Sequence, residues 1–232
     1  MEIGPEEKWS LYRVWVTDLG KCPRRIQLKY QGAEELPPHF YQIKGHLVHE
    51  EIERMLKHQK PSELSVEEEI CRELEKPLSN FQKWLKTTKY DLSDAKSELK
   101  LEMPMPLPHP NSEEYTLVGK LDLITPNLII DFKSGRKQNR RENRIQLVAY
   151  KILAEYNNIV KKPKLVNVFL GGREPKELEY SESDVQKAES EFYDMITEHV
   201  GILEAVKQGM KMPCRVSFKC IYCPYRGVCR GY

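Results

Sequence analysis

The sequence has no long apolar run, no internal repeat, no low-complexity tract and almost no net charge, and each absence removes a class of protein. Its longest apolar stretches, such as Leu128-Ile129-Ile130, fall far short of the roughly 20 residues that a membrane span needs. The acidic start Met1-Glu2-Ile3-Gly4-Pro5-Glu6-Glu7 has neither the basic nor the apolar region of a secretory signal. The expected compartment is therefore the cytoplasm, with no membrane partner. The lack of repeats and biased tracts excludes solenoids and tail-like segments. A net charge of +2, from 37 basic and 35 acidic residues, argues neither for nor against a polyanionic partner. What is present is an ordinary globular composition, 40% hydrophobic and 31% charged, apolar enough for a sizeable core and too apolar for a disordered chain. At 232 residues it fits one large or two small domains.

Charge is segregated along the chain. Glu63, Glu67, Glu68, Glu69, Glu73 and Glu75 make one segment acidic, whereas Lys133, Arg136, Lys137, Arg140, Arg141 and Arg144 stand against a single Glu142. Thr17-Asp18 can cap a helix running through Leu19, Ile26 and Leu28, with Gly32 ending it. Ile43, Leu47, Val48, Ile52, Met55 and Leu56 recur at helical spacing after Pro37-Pro38, and His49 shares a face with Ile52 and Leu56. Residues 60 to 97 show helical potential around Glu67 to Leu85 and no motif. Alternation of Leu99, Leu101, Met103, Met105 and Leu107 gives a half-buried strand that fades at the prolines. Tyr115 to Ile124 and Leu128 to Lys133 read as two further strands, joined tightly by Pro126-Asn127. A helix over Arg140 to Asn157, a strand over Leu165 to Leu170 and a long helix from Ser181 or Ser183 through Val206 complete a mixed α/β pattern.

The chemistry concentrates at one hairpin. Asp131 and Lys133 are two apart on a strand and so share a face, and the short connection brings Asp122 close to Asp131. Two carboxylates on one face repel unless a cation lies between them, and hard oxygen ligands suit Mg2+ or Mn2+. An adjacent ammonium, Lys133, is then placed to orient a water or to offset charge developing on phosphorus. Asp-x-Lys alone is common on strands with surface acids. The context narrows it: Gly119-x-x-Asp122 precedes it, Gln146 and Tyr150 follow one helical turn apart, and Gly45-x-x-x-His49-Glu50 lies upstream.

These four elements, taken in chain order, resemble the RecB-like branch of the PD-(D/E)xK nuclease superfamily. The resemblance implies a restriction-endonuclease-like α/β core with a mixed central sheet flanked by helices. It also implies that His49, Asp122, Asp131 and the carbonyl of Phe132 ligate the metal, that Lys133 positions the attacking water, and that Gln146 and Tyr150 support the site or contact DNA. Asp131 stands where many relatives have Glu.

Cys220-x2-Cys223-x5-Cys229 ends the chain and Cys22 lies near its start, in Gly20-Lys21-Cys22-Pro23-Arg24-Arg25. Four thiolates hold either tetrahedral zinc or an iron-sulfur cluster, and ligand counting does not separate the two. One distant cysteine plus a C-terminal triplet is similar to the iron-sulfur clip of RecB-like nucleases, which favours a 4Fe-4S cluster that ties the chain ends together. Cys214 is a competing ligand, and Cys71 reads as a free thiol. A short chain with this clip looks most like the CRISPR-associated Cas-four exonucleases. That resemblance implies cutting of single-stranded DNA from an end and trimming of DNA before integration by the CRISPR integrase complex. Repair-associated and virus-borne RecB-like nucleases share the motifs, and a non-catalytic iron-sulfur or zinc DNA-binding subunit is the reading from another class. The expected parts are an N-terminal helical part over 1–59, a helical insertion over 60–97, the nuclease core over 98–206 and the cluster segment over 207–232. Lys21, Arg24, Arg25, Lys29, Arg215, Lys219, Arg226 and Arg230 extend the basic run as a phosphate path, and Tyr222 and Tyr225 either stack on bases or pack around the clip.

Overall fold

The computed structural model describes residues 12–59, 68–106, 114–136 and 140–229. In chain order these form β1 (Arg13–Trp15), a 3-10 turn (Val16–Asp18), α1 (Pro23–Tyr30), α2 (Phe40–Leu56), α3 (Glu68–Thr87), β2 (Lys96–Pro104), β3 (Thr116–Thr125), β4 (Leu128–Lys133), α4 (Arg140–Tyr156), β5 (Lys164–Phe169), β6 (Lys176–Glu179), α5 (Glu182–Lys207) and a 3-10 turn (Phe218–Tyr222). They divide into two compact units. One draws on Met1–His39, Glu102–Val118 and Ser190–Tyr232, and the other on Phe40–Leu101 and Gly119–Glu189. Among the described residues no helix is long and apolar enough to cross a membrane.

The second unit carries a mixed α/β fold. β4 pairs antiparallel with β3 and parallel with β5, and β6 closes on β5 antiparallel. Parallel neighbours cannot be joined by a hairpin, and α4 supplies the crossover between β4 and β5. Alternation divides the side chains of β4 between two faces. Leu128, Ile130 and Phe132 join Val166 and Val168 of β5 in one apolar cluster, closed over by Val48 and Ile52 of α2 and by Ile70, Leu74, Phe81 and Trp84 of α3. Ile129, Asp131 and Lys133 face the other way, where Lys133 meets Gln146 of α4.

The segment without a motif turns out to be a wall of this core. In α3 the buried positions Ile70, Leu74, Pro77, Phe81 and Trp84 recur at steps of four and three, which aligns them on one stripe. The Phe132 ring meets Phe81 edge-on at 5.2 Å and Trp84 at 5.3 Å. Asn80 of the same helix, also buried, donates to the carbonyls of Leu170 at 2.7 Å and Gly172 at 3.1 Å, which pins α3 to the exit of β5.

In the first unit β1 lies parallel to the start of β3, with Arg13 opposite Thr116 and Trp15 opposite Val118. The helix expected from Thr17-Asp18 begins later. Gly20, with a φ of +69°, turns the chain into a conformation that disfavours a side chain, and α1 starts at Pro23 with Cys22 as its N-cap. The two ends of the chain are hydrogen-bonded to each other. The buried Gln27 amide donates to the Met210 carbonyl and accepts from the Met212 N–H, both at 2.9 Å. The Leu36 N–H reaches the Pro224 carbonyl at 2.8 Å, and the Tyr225 hydroxyl bonds Glu35.

Because Trp84 closes the face of the sheet opposite the carboxylates, Trp84→Ala should cost about 3 to 5 kcal/mol of stability. Urea unfolding followed by circular dichroism measures this directly; a main transition that does not move would mean that α3 does not belong to the core.

Candidate active site

Asp131, in the second half of β4, is only 1% exposed. A carboxylate so deeply buried needs compensating donors. Its register partner on β5, Asn167, donates to Asp131 Oδ2 at 2.6 Å. The Tyr180 hydroxyl donates to Asn167 Oδ1 at 2.8 Å, which holds the amide with its NH2 toward the carboxylate. On the other side Lys133 Nζ lies 2.8 Å from Asp131 Oδ2 and 3.1 Å from Oδ1. Lys133 also donates to Gln146 Oε1 at 2.9 Å, and Gln146 Nε2 donates to the Tyr150 hydroxyl at 2.8 Å. Burial raises the Asp131 pKa, Lys133 pulls it back, and the neighbouring Asp122 raises it again.

Leu123 pairs with Ile130, so one further step of the same register sets Asp122 opposite Asp131. Asp122 works with both oxygens. Oδ2 accepts the Phe132 N–H at 2.7 Å, and Oδ1 lies 3.2 Å from His49 Nδ1 of α2. Phe132 thus enters the site through its backbone while its ring fills the core. The sequence reading missed Glu98 of β2. One ligand atom each from His49, Glu98 and Asp122 lies within 4.8 Å of the others. Glu98 has a φ of +53°, a strained value for a residue with a side chain, and it is ion-paired with Lys120. Its carboxyl is raised by burial, against the pull of Lys120. Burial alone would lower the His49 pKa, but the charge and hydrogen bond of Asp122, with Asp131 and Glu98 beyond, raise it to about 9. One imidazole and several carboxylate oxygens at this spacing form a donor set that fits a single divalent cation of the Mg2+ or Mn2+ kind.

Gly119 explains the Gly-x-x-Asp spacing sterically. A Cβ there would lie 2.5 Å from Leu153 Cδ1 and 3.1 Å from the Tyr150 ring, so only glycine lets α4 approach β3 this closely.

The basic run after Lys133 is less open than its composition implies. Arg144 is mostly buried and pairs with Asp184 at 3.0 Å, and Arg136 Nε donates to the Gly171 carbonyl at 3.0 Å. Lys137 and Arg230, and the side chain of Arg140, lie outside the described residues. Tyr225 is buried and cannot stack on a base, while Tyr222 packs edge-on against His39 at 4.8 Å.

In the first unit Cys22 Sγ accepts the Arg215 N–H at 3.3 Å and Cys220 Sγ the Ser217 N–H at 3.4 Å. Cys214, which the sequence pattern set aside, has its Sγ 3.8 Å from Cys229 Sγ. Loss of hydration and the nearby thiols of Cys229, Cys22 and Cys220 push the Cys214 thiol up to about 11. Cys223 follows in the same turn, its N–H bonded to the Cys220 carbonyl at 3.1 Å.

A histidine whose pKa is raised on folding contributes stability that is complete below its unfolded value of 6.5 and is lost as the pH rises through about 9. Metal-free protein is therefore expected to lose up to about 3 kcal/mol across this window relative to His49→Gln. Chemical denaturation at pH 6 and pH 9.5 measures the difference; parallel pH profiles for the two proteins would contradict the His49–Asp122 pair.

Residues 15–230 match the family model of the PD-(D/E)XK nuclease superfamily. A search of curated proteins finds no match. Among solved structures, a Eubacterium rectale protein described as a "putative exonuclease" superposes with a TM-score of 0.60 at 12% identity, over 94% of this chain and 91% of that one. SSO0001 aligns over 94% of this chain and 86% of its own, with a TM-score of 0.47 and 15% identity. The first likeness shows a shared fold, consistent with a restriction-endonuclease-like core, and the family match covers both the hairpin and the helices around it: the chain belongs to the PD-(D/E)XK nuclease superfamily.

Proposed function

We propose that the chain is a metal-dependent DNA exonuclease acting on single-stranded ends, with the hairpin of β3 and β4 as its reaction centre. The observation that carries this reading is the convergence on one spot of His49, Glu98 and Asp122 as a ligand set with the hydrogen-bonded series Asn167, Asp131, Lys133, Gln146 and Tyr150. A divalent cation, when bound, polarises the scissile phosphodiester and the attacking water. His49, Asp122, Asp131 and the Phe132 carbonyl are its proposed holders, and Glu98 joins them. His49 must give up its proton to serve as a ligand, so metal uptake releases a proton near neutral pH. An ammonium has three hydrogens to donate. Asp131 and Gln146 take two from Lys133, and the third is left to orient a water or to meet a phosphoryl oxygen. Gln146 and Tyr150 keep the Lys133 head in one position, and Asn167 and Tyr180 do the same for Asp131. Action from an end is supported by the description of the Eubacterium rectale protein, whose fold this chain shares. Processing of DNA for the CRISPR integrase complex is supported by the resemblance in motif order and cysteine spacing.

The clip is proposed to hold a 4Fe-4S cluster through Cys22, Cys220, Cys223 and Cys229, a reading supported by the hydrogen bonds that already join the two chain ends. Cys214 favours a second reading. Its 3.8 Å separation from Cys229 is close to that of two thiolates on one zinc, about 3.8 Å for tetrahedral ligands with Zn–S near 2.3 Å.

Lys133→Ala should lower the turnover of end-labelled single strands with Mn2+ by at least about 100-fold while DNA binding persists. Full activity in that variant would end the catalytic assignment. Glu98→Gln should raise the Mn2+ concentration for half-maximal rate by about tenfold or more. Oxygen-free purification should give a brown protein whose broad visible absorbance disappears in Cys223→Ser; stoichiometric zinc without iron would instead select the Cys214 reading.

A further inference from the structure

In Gly45-x-x-x-His49 the histidine faces the carboxylates, and the glycine has no role in holding a metal. A glycine inside a helix costs about 1 kcal/mol relative to alanine, and Gly45 lies inside α2. Packing requires glycine at Gly119, where a Cβ would lie 2.5 Å from Leu153. Packing does not require it at Gly45. A Cβ there would meet only the Ser134 hydroxyl, at 3.9 Å, which is ordinary contact. An unhindered helical glycine is not in itself a sign of a ligand, since Gly201 of α5 is equally unhindered and simply exposed. At Gly45 the neighbours make the difference.

Steps of four set Tyr41, Gly45 and His49 along one side of α2. His49 belongs to the ligand set with Glu98 and Asp122. Tyr41 lies two turns away, about 12 Å along the helix axis. Its ring is 62% exposed and meets Phe40 edge-on at 5.5 Å. Facing Gly45 is Ser134, the residue after Lys133, half-buried and with a hydroxyl that makes no hydrogen bond among the described residues. The nearest acids of α2 have partners on their own helix, Glu50 with His46 and Glu53 with Lys57. Outward from the metal ligand, this side of α2 therefore offers bare backbone opposite a hydroxyl and then an open aromatic ring.

A single nucleic-acid strand matches both parts. Its bases stack on aromatic rings whatever their sequence, and its phosphate oxygens accept from hydroxyl side chains. Glycine lets a ligand come against the backbone where a side chain would hold it off. A strand whose phosphodiester reaches the metal must also continue past the ligands, and the side of α2 that bears His49 is continuous with them. We propose that this side of α2 is the track of the DNA strand at the reaction centre: a base stacks on Tyr41, the sugar-phosphate backbone lies over Gly45, and Ser134 donates to a phosphate oxygen. The track rests on the nuclease reading above.

Anisotropy of a fluorescein-labelled single strand tests this, with the full chain loaded with Mn2+ and carrying Lys133→Ala so that the strand is not degraded. Gly45→Ala in that background should weaken strand binding at least about fivefold, because the methyl group crowds the strand. Its melting temperature should stay the same or rise, since alanine favours the helix. A glycine without a ligand gives the stability change alone. Tyr41→Ala should weaken binding about tenfold and Tyr41→Phe should bind like the parent, because stacking uses the ring and not the hydroxyl. Calorimetric titration with Mn2+ should give the parent affinity in all three variants. Full-strength strand binding in either alanine variant would overturn the track, and so would a loss of Mn2+ affinity as large as the loss of strand binding, which would trace the effect to a displaced His49. With a wild-type chain that still cuts single strands, those results leave the nuclease reading in place. A wild-type chain that neither binds nor cuts single strands would overturn both.

Discussion

The constraint on which the second unit depends is the burial of one ionisable carboxyl group, Asp131, in a strand whose other residues, Lys133 apart, are apolar. Removing a carboxylate from water costs several kcal/mol unless donors replace the solvent. Each donor here comes from a different element. Asn167 is delivered by the register of β5 and held in place by the Tyr180 hydroxyl just beyond β6, and Lys133 is delivered by the alternation of β4. The sheet order is thus the arrangement that supplies hydrogen bonds to this group. It also leaves the opposite face of β4 wholly apolar, so that α2 and α3 can close over it.

Much of this was legible in the sequence wherever a periodicity was strong. The hairpin of β3 and β4 has an unambiguous apolar pattern and a Pro-Asn connection, so the juxtaposition of Asp122 with Asp131 and Lys133 followed from counting residues. The helices carrying His49 and Gln146 were equally plain. Three kinds of feature were not legible. β1 and β6 have three and four residues, too few for a period to register. Glu98 and Asn167 look like ordinary polar positions in strands, and only the fold turns them toward Asp122 and Asp131. The start of α1 was misplaced because the Thr-Asp capping signal outweighed a glycine that must adopt a positive φ.

The basic residues illustrate how composition overstates availability. In a list, Arg136 to Arg144 is a phosphate path; in the structure Arg144 is tied to Asp184 and Arg136 to a carbonyl, so both are engaged in holding the protein together. In the first unit, Arg25 has no such engagement among the described residues. The segments of this unit from opposite ends of the chain are already joined by the Gln27 amide, the Leu36 and Arg24 backbone and Tyr225, independently of any sulfur ligand. A metal or cluster at the cysteines would therefore reinforce a junction that hydrogen bonds have begun.

The division of β4 into two interleaved sets of side chains limits how this protein can vary over time. Insertion or deletion of one residue between Leu128 and Lys133 would exchange the two sets, turning Asp131 and Lys133 into the aromatic pocket of Phe81 and Trp84 and exposing Phe132 in their place. No intermediate of that kind retains either the apolar core or the buried carboxylate with its donors. Descendants of this strand can change letter by letter but not in length, and the diversity of such enzymes must accumulate in the segments around it.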